Sequence, residues 1–96
     1  MFLRLTYLYF SSEKSAAAKD IYMTEIAPAI RNQKGNKQVL LLEPADGSDE
    51  FISYSLWENE SDIRKFEANP DYPAIIGRIK EMASKPPLQK YYLVSS

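Results

Sequence analysis

This sequence predicts an α+β fold of the ferredoxin-like β-α-β-β-α-β order, with helices over one face of a four-stranded antiparallel sheet. Three observations carry that expectation. Four aromatic and aliphatic stretches have the composition of strands. Two intervening regions repeat their apolar residues every three or four positions, as helices do. A strong turn signal separates the two central strands, which should therefore form a hairpin. At 96 residues there is room for one domain and not for two, so residues 1–96 are read as a single unit.

The first strand runs from Phe2 to Phe10 and is rich in Leu, Tyr and Phe. Arg4 interrupts it and no basic leader precedes it, so it reads as a strand rather than a signal peptide. Ser11-Ser12-Glu13 then reads as a helix N-cap. Ala18, Ile21, Tyr22, Ile26, Ala29 and Ile30 form the apolar side of the following helix. Pro28 should kink or end it, because proline has no N–H to give the helix ladder. The stop is expected by Gly35, with Arg31 and Lys34 complementing the C-terminal dipole.

Gln38 to Glu43 carries the unbroken apolar run Val39-Leu40-Leu41-Leu42. Pro44 to Asp49 is the turn, and Glu50 to Glu58 is the returning strand. Asn59 to Asp62 can start a helix holding Ile63 and Phe66, which Asn69-Pro70 breaks. Asp71 begins another, with Tyr72, Ile75, Ile76, Ile79 and Met82 on one side. Pro86-Pro87 stops it, and Leu88 to Val94 is the last strand.

Composition narrows the function. Twelve basic and thirteen acidic residues leave a net charge of −1, which gives a polyanion no foothold, so a nucleic-acid partner is not expected. No apolar run approaches the roughly 20 residues of a membrane span. No membrane association is therefore expected, and a cytoplasmic location is the default. The chain has neither Cys nor His. That removes thiolate nucleophiles, the commonest general base and the commonest metal ligand. No phosphate-binding glycine loop and no metal-ligand cluster occurs. Asp46, Asp49 and Glu50 lie in or beside the hairpin turn and read as solvated.

The strands lack the alternation of a half-wet sheet. Leu3, Leu5, Tyr7 and Tyr9 oppose Phe2, Leu8 and Phe10 on the first strand. On the third, Ile52, Tyr54 and Leu56 oppose Phe51, Ser53, Ser55 and Trp57. Helices can cover one face only. The other would be an apolar patch larger than a monomer usually exposes. A homodimer joined through Ile52, Tyr54 and Leu56 is the expectation, since two-fold packing buries the same face of both copies. The Ser53-Ser55-Trp57 face, with small polar groups beside a large aromatic, has the make-up of a small-molecule pocket. The alternative is that Trp57 is core and the serines merely fit beneath it.

Trp57-Glu58 at a strand end, the helix carrying Phe66, the Asn69-Pro70 break and the closing aromatic strand together resemble the antibiotic biosynthesis monooxygenase family. The resemblance runs from Phe2 to Val94. It implies a dimeric α/β barrel, in which two sheets pack face to face and each protomer holds a pocket between its sheet and its helices. Members include cofactor-free oxygenases acting on quinols, anthrones and similar polycyclic phenols, and haem-degrading enzymes. Trp57 matches the pocket-edge tryptophan of the cofactor-free enzymes. Their strand asparagine falls on Ser53 and their helix tyrosine on Ile63. For the haem-degrading branch the helix tryptophan falls on Phe66, the iron-ligating histidine near Ile76 and a first-strand asparagine near Tyr9. Without histidine, haem degradation is not expected.

Candidate pocket residues are therefore Trp57, Ser53, Ser55, Phe66, Tyr9, Tyr72, Ile63 and Ile76, with no cofactor, no metal and no assigned catalytic residue. The resemblance points to a cofactor-independent monooxygenase for a small aromatic substrate. The competing readings are a binding module for a small apolar or aromatic molecule, and a dimerisation module whose pocket is filled by its own side chains.

Overall fold

A computed structural model describes residues 1–95. Strand β1 (Phe2–Tyr9) leads into a helical stretch made of α1 (Ser12–Ile21), a π turn (Tyr22–Ile26) and α2 (Ala27–Arg31). The hairpin β2 (Asn36–Leu42) and β3 (Glu50–Trp57) follows. Helices α3 (Glu60–Ala68) and α4 (Tyr72–Met82) precede β4 (Leu88–Leu93). The four strands form one antiparallel sheet in the order β2-β3-β1-β4, as the ferredoxin-like order requires.

Register fixes which residues share a face. On β1, Phe2 pairs with Trp57 and Tyr9 with Glu50; on its other edge, Arg4 pairs with Tyr91 and Thr6 with Gln89. The inner face, toward the helices, thus carries Arg4, Thr6 and Leu8 with Phe51, Ser53, Ser55 and Trp57, all buried. The outer face carries Leu3, Leu5, Tyr7 and Tyr9 with Ile52, Tyr54 and Leu56, all half-buried, together with exposed Leu40, Leu42, Leu88 and Tyr92. Strand β2 bulges at Lys37, between Asn36 and Gln38.

Of the two outcomes expected of Pro28, a kink or an end, it does not end its helix. Helical backbone continues to Arg31, and the disturbance lies upstream. Pro28 cannot donate to the carbonyl four residues back, and within the π turn the Ala27 N–H reaches the Tyr22 carbonyl five residues back. The chain absorbs the missing donor by widening one turn. The expected caps also differ in detail. Ser11, Asn59 and Asp71 occupy the N-cap positions of their helices, but none of the three side chains makes a capping bond.

The core lies between the inner face and the helices, and includes Leu8, Phe10, Tyr22, Ile26, Ile30, Phe51, Trp57, Ile63, Phe66 and Ile79. Gly35 closes the turn into β2 at φ +84°, where only glycine is at ease. A Cβ there would also collide with the buried Asp62 side chain. Gly35 is thus required twice, once by its backbone and once by the approach of α3.

Candidate functional site

Period-two alternation delivers Arg4, a charged residue on an otherwise apolar strand, into the space beneath the helices. It is 3% exposed. A cation there needs partners, because an unpaired buried charge costs several kcal/mol. Arg4 has three. Its Nε donates to Glu67 Oε2 at 2.8 Å, Nη1 to Thr6 Oγ1 at 3.2 Å and Nη2 to the Tyr72 hydroxyl at 2.6 Å. The guanidinium also lies 5.6 Å from the Phe66 ring centre and 5.8 Å from that of Tyr72. Burial disfavours its charge, but the Tyr72 hydroxyl and the Glu67 carboxylate outweigh that penalty and raise its pKa above the ordinary value. Arg4 is permanently cationic.

Two further polar pairs lie on the same face. The Tyr22 hydroxyl and Ser53 Oγ share a buried hydrogen bond of 2.6 Å. Burial pushes the Tyr22 phenol up, against the opposing pull of Ser53 and Arg4, so it is un-ionised at neutral pH. Trp57 Nε1 donates to Ser55 Oγ at 2.8 Å, and Ser55 Oγ can donate to the Arg4 carbonyl at 3.4 Å. Trp57 is fully buried and stacks on Phe66 at 5.6 Å, and Phe66 meets Tyr72 edge-on at 5.1 Å. An aromatic ladder therefore runs from β3 through α3 to α4.

A cavity of about 40 Å³ lies where these groups converge, lined by Arg4, Thr6, Tyr22, Ser53, Phe66 and Tyr72, with Ile76, Ile79 and Gln89 at its sides. The structure brings four of the predicted pocket residues to it: Ser53, Phe66, Tyr72 and Ile76. Trp57 is stacked on Phe66, Ser55 is bonded to Trp57, and neither lines it. Ile63 is core and borders a different, open groove at the β4 edge, with Phe2, Glu67, Tyr91 and Leu93. Tyr9 lies on the other face of the sheet, because it alternates in phase with Leu5 and Tyr7. Its ring sits 4.1 Å from Lys85 Nζ.

Arg4, Tyr22, Thr6, Glu67 and Gln89 were missed by motif reasoning. A signal existed for the first: Arg4 shares the inward phase of Phe2, Leu8 and Phe10, where a charge is out of place unless it is used. Among the described residues no group of His, Cys, Asp or Glu could hold a metal ion, and no helix is long and apolar enough to cross a membrane.

Comparison with known proteins gives a consistent picture. The family model for antibiotic biosynthesis monooxygenase matches residues 1–78. No curated protein matches the chain. Among solved structures, a candidate antibiotic biosynthesis monooxygenase from Nitrosomonas europaea is 17% identical with a TM-score of 0.85, each chain covered in full. One from Deinococcus radiodurans is 21% identical with a TM-score of 0.86, covering 100% of this chain and 94% of that one. SnoaB, a cofactor-independent oxygenase from Streptomyces nogalater, is 12% identical with a TM-score of 0.86, covering 99% and 93%. At these identities the likeness is one of fold.

Proposed function

Because the chain belongs to the antibiotic biosynthesis monooxygenase family, we propose that it is a cofactor-independent monooxygenase acting on a small aromatic substrate of the quinol or anthrone kind. The observation that carries this reading is the convergence of aromatic walls and hydrogen-bonding groups on one interior cavity. Phe66 and Tyr72 would flank a planar ring, while Arg4, Ser53 and Tyr72 would orient its oxygens. SnoaB, with the same fold, is named as a cofactor-independent oxygenase. The absence of His and Cys is in keeping with chemistry done on the substrate alone.

We further propose that this single unit, residues 1–96, is a cytoplasmic homodimer, and the apolar outer face supports the dimer. Leu42, Ile52, Tyr7 and Leu88 lie in one row across the sheet, and Leu40, Tyr54 and Leu5 in the next. Ile52, Tyr54 and Leu56 would meet the partner copy. A Tyr54→Asp variant should halve the mass seen by light scattering; an unchanged mass, or a wild-type monomer at micromolar concentration, would argue against this assembly.

One observation favours a second reading. At about 40 Å³ the cavity has room for a water or two, far less than the roughly 150 Å³ that admits benzene. A substrate must displace α4, whose Tyr72, Ile76 and Ile79 form one wall. A dimerisation module whose pocket is filled by its own side chains would need no such opening. The decisive assay is oxygen uptake with an anthrone or a quinol under air. Turnover that falls at least tenfold in Phe66→Ala is expected of the enzyme. Uptake no faster than buffer would leave the binding or dimerisation reading.

A further inference from the structure

Two openings flank the Arg4 guanidinium. One is the interior cavity of about 40 Å³, which Arg4, Tyr72 and Gln89 help to line. The other is the groove of about 360 Å³ between α3 and the β4 edge, where Phe2, Ile63, Glu67, Tyr91 and Leu93 form much of the wall. Hydrogen bonds cross from one to the other. Arg4, on the cavity side, donates from Nε to Glu67 Oε2, on the groove side, at 2.8 Å. The Gln89 amide, on the cavity side, meets the Tyr91 hydroxyl, on the groove side, at 2.7 Å. At this point one layer of side chains separates the two openings. The supply of protons orders that layer. Tyr91 has one hydroxyl proton and lies 2.6 Å from Glu67 Oε2, which can only accept. The proton goes there, so the Tyr91 oxygen receives an N–H from Gln89, whose amide can present either end. The Gln89 carbonyl then faces Tyr72, whose hydroxyl donates to it at 3.2 Å and accepts from Arg4 Nη2 at 2.6 Å. Arg4, Tyr72, Gln89, Tyr91 and Glu67 thus close a ring of bonds in which each hydroxyl proton is used once. The members are not equally held. Arg4 is 3% exposed, whereas Tyr91 is 52% exposed and stands on an edge strand. Among the described residues the Tyr91 ring stacks on no other aromatic ring, and its hydroxyl is tied to Glu67 and Gln89.

We propose that the β4-edge groove is the vestibule of the interior cavity and that Tyr91 is the door between them. This rests on the cavity being the ligand site, as proposed above, and adds the route by which a small aromatic molecule reaches it. In the closed state the Tyr91 hydroxyl is latched to Glu67 and Gln89. Rotation of its side chain away from α3 breaks those two bonds at an exposed site, where water replaces them at little net cost. The bonds of Arg4 to Glu67, Thr6 and Tyr72 do not involve Tyr91 and stay in place as the fixed frame. The gap opens on the β4 side of that frame, beside Gln89. The groove suits an aromatic visitor. Phe2, Ile63 and Leu93 give it apolar walls, and about 360 Å³ falls within the range of small-molecule pockets, which the interior cavity does not reach. Displacement of α4 supplies the room inside, and the groove supplies the way in. A closed door also retains what has entered. The open fraction therefore scales association and dissociation alike and leaves affinity nearly unchanged, as expected of a gate rather than a contact.

The probe is 4-nitroanisole, an uncharged aromatic whose absorption quenches the fluorescence of Trp57, the single tryptophan. Stopped-flow mixing with the full chain gives both rate constants without any need for turnover. Tyr91→Ala should raise association and dissociation together, at least fivefold each, while Kd moves less than twofold. Tyr91→Phe keeps the ring and loses the latch, so it should raise both about two- to fivefold. A residue that merely touched the ligand would raise dissociation alone. Ser53→Val narrows the cavity and leaves the groove as it is, so it should weaken binding at least fivefold. Should Tyr91→Ala fail to fold by circular dichroism, Tyr91→Phe still decides. Wild-type association rates in the Tyr91 variants, a rise in dissociation alone, no binding by the wild-type protein, or wild-type affinity in Ser53→Val would overturn the route. Faster exchange in the Tyr91 variants without oxygen uptake from anthrone or quinol would leave the route standing and remove the oxygenase reading. Uptake with unaltered exchange in those variants would do the reverse.

Discussion

The two faces of the sheet are built from the same strands by opposite rules. On the inner face Arg4, Thr6, Ser53 and Ser55 are buried among Leu8, Phe51 and Trp57, and every one of these four side chains has a hydrogen-bond partner. On the outer face leucines, tyrosines and Ile52 lie half-buried or exposed, with Gln38, Glu50 and Lys90 as the polar members, and Lys90 stretches its amine over the Tyr7 ring at 5.3 Å. An apolar surface asks only to be covered, and any complementary apolar surface will do it. A buried polar set is costly unless each group is satisfied, and once satisfied it is selective about what joins it. In the function proposed above, association belongs to one face and recognition to the other.

The largest test of this division is Trp57→Ala. The side chain is fully buried, stacked on Phe66 and bonded to Ser55. Its loss should cost about 3–5 kcal/mol in urea denaturation, independent of protein concentration. Glu67→Ala comes next. It strips a charged acceptor from buried Arg4 and should cost about 1.5–3 kcal/mol by the same measurement. Gly35→Ala should cost about 1–3 kcal/mol, from its positive φ and its collision with Asp62. Adding Asp62→Ala to it removes the carboxylate but leaves the Cβ at 2.8 Å, so it should recover only part of the steric share and none of the backbone share.

A smaller effect concerns pH. The Tyr22 phenol titrates above its ordinary 10.0 in the folded chain because burial disfavours the phenolate. The unfolded chain therefore gives up that proton first, and stability falls as pH rises past the unfolded value. Tyr22→Phe should flatten that part of the wild-type pH–stability curve above about pH 10; an identical slope would mean that Tyr22 is not the group responsible. The smallest change expected in the fold itself is Tyr54→Ser on the outer face. It should alter monomer stability by no more than about 0.5 kcal/mol at high dilution. A loss as large as that of Trp57→Ala would erase the distinction between the faces.

The fold was legible in the sequence because its strands and helices announce themselves by period, and Pro, Gly and Asn-Pro punctuate them. The division of β3 into two faces followed from alternation alone. The site was less legible, for identifiable reasons. Alternation and the family resemblance disagreed over Tyr9, and alternation matches its position: an ungapped correspondence says nothing about which way a side chain points. Trp57 drew attention as the single tryptophan, yet it stacks on Phe66 and does not line the cavity. Arg4 was noticed only as an interruption of an apolar run. Its partners Glu67 and Tyr72 come from two other elements, and no local pattern joins residues 63 and 68 positions away from it. The Tyr22–Ser53 bond, across 31 positions, was hidden for the same reason.

The π turn at Tyr22–Ile26 has a consequence for how this protein tolerates length change. A widened turn is a single residue accommodated without a loop, so the stretch from Ser12 to Arg31 holds one residue more than a straight coil spanning the same distance. Removing a residue between positions 23 and 25 would let the coil tighten instead of tearing it. Because the widened turn already holds the extra residue, Tyr22 would turn by only about 20° relative to Ile30 about the helix axis. The molecule would survive shortened, with the Tyr22 phenol still facing Ser53 and the sheet intact.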